Sequence, residues 1–253
     1  MVETVTLYRA PTTPADADAI ADWLRDRVDA EVQVRDRLLG SVDGADALAE
    51  ALAAARVTDP YDRGTGNTMV GVVRYEERAL SAPERAGGVV YDGRAVQHAL
   101  NARLPGRRGL DHLHVPLVDR VLGTWGDHDG RWHKRVAVLG QPSLISVPGL
   151  YEAPAKPEAY YEEKSKHAML TGDAPPREVL EADVEGDFLV ADDPRTTDAL
   201  KGYVLAATDF VETGTAFCGD EDCRLHDAHR QPGVVRAQLR APEFCDRHAE
   251  RYG

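Results

Sequence analysis

All three cysteines of the chain, Cys218, Cys223 and Cys245, lie in its C-terminal tail, and their spacing constrains that tail more than any other feature of the sequence. Cys218 and Cys223 bracket four residues, GDED; Cys245 and His248 bracket two. Zinc takes four nitrogen or sulfur ligands at the corners of a tetrahedron, and short Cys-x-Cys or Cys-x-His hooks supply them two at a time. The expected site is a structural Zn2+ held by Cys218, Cys223, Cys245 and His248. The competing account is three buried, inert thiols. The acidic GDED segment speaks against it, because buried thiols prefer apolar surroundings. His226 and His229 lie between the hooks, three apart, and are alternative fourth ligands. An odd cysteine count argues against a disulfide framework. The N-terminal segment has no basic start followed by a long apolar stretch, so the expected location is the cytoplasm.

The rest of the chain sets the scale. It has 253 residues, of which 43% are hydrophobic, enough to bury a core in one large domain or two small ones. The expected division is an α/β domain over 1–217 and a zinc-binding subdomain over 218–253 packed on it. No apolar run approaches the length that a bilayer requires. The formal charge is -13, and the only lysines are Lys134, Lys156, Lys164, Lys166 and Lys201. Acid-rich, lysine-poor composition keeps a protein hydrated in concentrated salt, and it resembles that of proteins from salt-accumulating archaea. The tail from Cys218 has six arginines against seven acids, so the negative charge sits in the body. Such a tail is not a basic patch, which argues against nucleic acid as a partner, and the acidic body argues against a membrane surface.

Along the body, VTLYRA reads as a strand. Thr13 and Pro14 read as the start of a helix carrying Ile20, Leu24 and Val28. Val32 and Val34 mark a second strand, and the alanine-rich stretch 46–55 a helix. Turn chemistry over 59–67 precedes MVGVVRY, read as a strand. VVYDGRAVQHALNARL reads as a strand end entering a helix. HLHVPLVDRVL and RVAVLGQPSLISVPGLY read as strands, with GTWGDHDGRWHK as a polar loop between them. A charged helical stretch follows EAPAKPEAYY. A long helix then runs from a cap at Asp193 and Pro194 to Gly214, with Leu200, Tyr203, Val204, Ala207 and Val211 on its apolar face. A short helix is expected over 232–240.

The tail resembles the archaemetzincin family of zinc metallopeptidases. That family's pattern is H-E-x-x-H-x-x-G-x-x-H, then C-x4-C-x-M, a spacer and C-x2-C. Cys218-GDED-Cys223-Arg-Leu225 matches the middle part with Leu for Met, and Cys245-Asp-Arg-His248 matches the last hook with His for Cys. The resemblance implies a structural zinc on these four residues. It also implies an α/β (α+β) fold, with a zincin-like mixed sheet, an active-site-type helix and the zinc-binding tail. The three catalytic histidines would fall on Ala207, Val211 and Phe217, the glutamate on Thr208, and only Gly214 keeps its place. VAVLGQPSLISVP stands where that fold has its edge strand. Longer stretches resemble an uncharacterised archaeal family labelled as metallopeptidases, whose members also lack the full histidine motif.

Three functions compete on these grounds. The first is a non-catalytic protein that binds a peptide or protein partner beside its edge strand. The second is a metallopeptidase with substituted ligands drawn from Asp209, Glu212, His112, His114, His128 and His133, since zinc hydrolysis needs His or carboxylate ligands and an open position. The third, a zinc finger for nucleic acid, has the charge balance against it.

Overall fold

The computed structural model of the chain describes residues 1–39, 44–66, 68–83, 88–106, 109–184 and 186–253. Asn67, the last residue of the turn segment at 59–67, lies outside them.

The first sheet is built around β1 (Thr4–Tyr8), which runs parallel to β2 (Glu31–Arg35) on one side and β5 (His112–Val118) on the other. β9 (Leu144–Ser146) continues in parallel, and β8 (Ala137–Val138) closes the edge antiparallel, giving the order β2-β1-β5-β9-β8. The second sheet has the order β3-β4-β6-β7, from β3 (Arg56–Val57), β4 (Val90–Asp92), β6 (Val121–Gly126) and β7 (Arg131–Arg135). The fold is therefore mixed α/β.

Strand side chains alternate between faces, and here the alternation separates two cores. Val5 and Leu7 of β1, with Leu113, Val115 and Leu117 of β5, pack against Ile20 and Leu24 of α1 (Ala17–Arg25) and Leu200, Tyr203 and Val204 of α8 (Thr196–Thr213). Tyr8 and Val118 face the other way. They join Leu48 and Leu52 of α2 (Ala45–Ala54) and Val96 and Leu100 of α4 (Gly93–Asn101).

Several elements differ from the sequence reading. α1 begins after Asp16, whose carboxylate accepts from the amides of Asp18 and Ala19, rather than at Thr13 and Pro14; Val28 lies beyond its end. α8 begins at Thr196, two residues beyond Pro194, and the Asp193 carboxylate just ahead of it accepts from the amide and guanidinium of Arg195. MVGVVRY opens a helix, α3 (Val70–Ser81), not a strand. A short apolar run fits either period, and here the chain that follows to buried Ala79 and Leu80 continues the helix. The stretch GTWGDHDGRWHK is no loop but the hairpin of β6 and β7, with Trp125 opposite Trp132 and their rings packed edge to face. The end of the strand-like stretch is a helix, α5 (Val147–Glu152), capped by Ser146 Oγ. The charged stretch forms α6 (Glu158–Thr171) and α7 (Arg177–Asp183). No helix among the described residues is long and apolar enough to cross a membrane.

Candidate metal centre and cleft

α8 stops at Gly214, whose left-handed φ of 74° a side chain would strain, and the chain turns directly into the first hook. The Cys218 amide donates to the Leu225 carbonyl, and the Arg224 amide to the Glu243 carbonyl, so the two hooks are laid side by side. α9 (Gln231–Leu239) spans the gap between them, as the sequence predicts within a residue. α10 (Asp246–Tyr252) starts directly after Cys245, and its first turn brings His248 back over that cysteine.

The four predicted ligands meet. Each of Cys218, Cys223, Cys245 and His248 offers a ligand atom within 4.8 Å of the others. Cys218 Sγ lies 3.8 Å from Cys245 Sγ; His248 Nδ1 lies 3.2 Å from Cys223 Sγ and 3.3 Å from Cys245 Sγ. Zn–S bonds of about 2.3 Å and Zn–N bonds of about 2.0 Å give tetrahedral S···S and S···N edges of about 3.8 and 3.5 Å. The donor set and its spacing therefore fit a zinc ion. Burial pushes the Cys223 thiol up to about 12, so a thiolate there requires a cation beside it. Burial also lowers the His248 imidazole, favouring the neutral ring that ligates. Arg247 lies 3.1 Å from His248 Nε2. A guanidinium only donates, so that contact belongs to a ring protonated on Nδ1. A ring ligating through Nδ1 carries its proton on Nε2 and turns the exposed Arg247 away.

His226 and His229 are not in the cluster. His226 Nδ1 donates to the Cys218 carbonyl, bracing the first hook from outside, and His229 is exposed. The cluster packs on α8 in the same apolar core as β1 and β5. Two polar fastenings add to this. The Gln238 amide donates to the carbonyls of Arg224 and His226, and the Tyr252 hydroxyl donates to Asp209 at 2.8 Å. Tyr252→Phe removes the second of these and is expected to cost about 1 kcal/mol, read as a melting temperature lower by about 3 °C with zinc content unchanged.

The residues considered for a substitute metal site are scattered. Asp209 holds Tyr252, and Glu212 accepts from the Val2 amide and pairs with Arg251, so both carboxylates fasten α10 and the N-terminus to α8. His112 and His114 stack with ring centroids 4.5 Å apart, but they lie on the Tyr8 face of β5, opposite α8; His114 Nδ1 bonds to the Tyr8 hydroxyl and His112 Nε2 to Thr6. Among the described residues, His128 and His133 are the pair of these that gathers a third possible ligand. They meet Asp129, which sequence reasoning passed over, at the β6–β7 turn. His133 Nε2 lies 2.9 Å from Asp129 Oδ1, a contact that holds the carboxyl below its usual range.

A cleft of about 550 Å³ opens between the β6–β7 hairpin, the β8 edge and the end of α8. Trp125, Trp132, Phe210 and Phe217 supply its aromatic walls, and Arg63, Arg94 and Arg135 reach into it. Sequence reading missed it, because residues from five separated segments build it.

Fold and site together define a mixed α/β protein with a Cys3His cluster at its C-terminal end. The chain belongs to the family described as "Family of unknown function (DUF7001)", whose model matches residues 6–251. None of the curated proteins matches it. Among solved structures it is similar to archaemetzincin from Methanopyrus kandleri, at 12% identity and a TM-score of 0.45 over 98% of this chain and 92% of that one. It is also similar to a zinc-dependent peptidase from Methanocorpusculum labreanum (strain Z), at 10% identity and a TM-score of 0.49 over 98% of each chain.

Proposed function

We propose that the chain is a zinc-binding protein whose tail, 218–253, is held folded by a structural Zn2+ and packs on the 1–217 body, and whose cleft binds a peptide or protein segment without cleaving it. The observation that carries the reading is the chemistry of α8. The positions that the archaemetzincin pattern reserves for catalytic ligands hold Ala207, Val211 and Phe217. Ala207 is fully buried, Val211 packs on the same core and Phe217 lines the cleft. None of these side chains can ligate a metal. The Cys3His set, by contrast, fills all four zinc positions with protein atoms, which leaves no open position for water and gives the ion a structural role.

Metal analysis of the folded chain together with a peptide hydrolysis assay tests this. One zinc per chain and no chelator-sensitive hydrolysis are expected. A second reading, a metallopeptidase with substituted ligands, draws on the His128, Asp129 and His133 cluster. Two zincs per chain, with hydrolysis abolished by His133→Ala, would establish that reading and sink the first.

A further inference from the structure

Resting on the reading of the cleft as a peptide-binding site, we propose that its ligand is an acidic peptide segment carrying an aromatic side chain. Main-chain pairing contributes little here. β8 is only two residues long, and the carbonyls of Val138 and Leu139 already accept from the Gln97 side-chain amide, each at 3.2 Å. Recognition therefore falls to the side chains that line the cleft.

Those side chains are cationic in a chain of net charge -13. The Arg94 guanidinium has no partner among the described residues, and it is exposed. Arg135 donates Nε to the Thr124 hydroxyl, its one side-chain hydrogen bond among the described residues, which leaves the end of its fork without a hydrogen bond. Arg63 pairs with exposed Asp127 alone among the described residues. The two acids of the lining offset them only in part. Asp92 spends its carboxylate on the amides of Arg94 and Ala95, capping α4, and the one remaining acid, Asp227, faces Arg135 and the imidazoles of His226 and His229. Unpaired guanidinium forks match carboxylates in shape and charge. Trp125 and Trp132, packed edge to face on each other, and Phe217 line the cleft and offer aromatic surface on which an aromatic side chain can pack. A short acidic peptide fits this local patch better than a nucleic acid, whose phosphates the acidic body repels along their whole length.

Two of the three tryptophans line the cleft, so tryptophan fluorescence of the full zinc-loaded chain reports binding. The probes are acetyl-Glu-Phe-Glu-amide, acetyl-Lys-Phe-Lys-amide and a short oligo-dT. The acidic peptide is expected to bind at least about tenfold more tightly than the basic one, and Arg94→Gln to weaken it by about tenfold. Arg94 is exposed, so an unchanged melting temperature confirms that the variant is folded. Equal or tighter binding of the basic peptide, no effect of Arg94→Gln, or tighter binding of oligo-dT overturns the acidic assignment. Failure of both peptides to bind overturns the peptide reading of the cleft itself.

Discussion

Cys223→Ser is expected to reduce bound zinc from one per chain to none and to lower the melting temperature by about 10 °C. Cys223 is completely buried, with its sulfur 3.2 Å from His248 Nδ1. Serine preserves the size and removes the thiolate that zinc requires, so the four-ligand shell cannot close. The loss spreads because the hooks share their apolar contacts with the body. Leu225, Val234 and Tyr252 of the tail lie in the same core as Val5 and Leu200. A loosened tail uncovers part of that core, at a cost of about 4 kcal/mol by the usual worth of buried apolar side chains. Metal content and a thermal melt read the two effects separately. Retained zinc with an unchanged melting temperature would show that Cys223 is not a ligand.

Gly202→Val is expected to cost about 3 kcal/mol, and roughly 9 °C in melting temperature, while zinc content stays at one per chain. Gly202 lies mid-helix in α8, where glycine is intrinsically unfavourable. Its presence answers to the tail. A Cβ at this position would overlap the Arg224 carbonyl and the Gln238 side-chain amide, the pair that fastens the first hook to α9. The few tenths of a kcal/mol that valine gains in helix propensity are small beside that overlap. The two substitutions therefore separate docking from ligation, since one loosens the seat of the tail and the other removes its metal. A melting temperature within a degree of the native chain's would show that the tail is not seated on α8 at Gly202.

Legibility in the sequence followed the range of the interactions. The four residues of the Cys3His cluster were readable because each hook is closed by the chain itself, across two or four residues. α2, α4, α8 and α9 were readable because helical periodicity and caps act within a few residues, although α1 and α8 start three and two residues later than the sequence suggests. The run at Val70 failed for the same reason: over seven residues an apolar run fits a strand or a helix, and packing decides. GTWGDHDGRWHK hid a hairpin because its polar turn residues outnumber the side chains that pair across it, Trp125 with Trp132.

The sequence by itself determined the Cys3His hooks, the long helix before them and the absence from that helix of histidine and glutamate at the catalytic spacing. These are properties of residue type at short separation, where covalent reach leaves little choice. The tertiary structure brought His248, the expected fourth residue, to the cysteines and left His226 and His229 outside, and it alone decided that His112 and His114 face away from α8. It alone turned Asp209 and Glu212 into fastenings for α10 and gathered three arginines around an aromatic cleft. Each of these depends on which faces of distant elements pack together, and that is settled by burial of the whole apolar surface rather than by any local pattern.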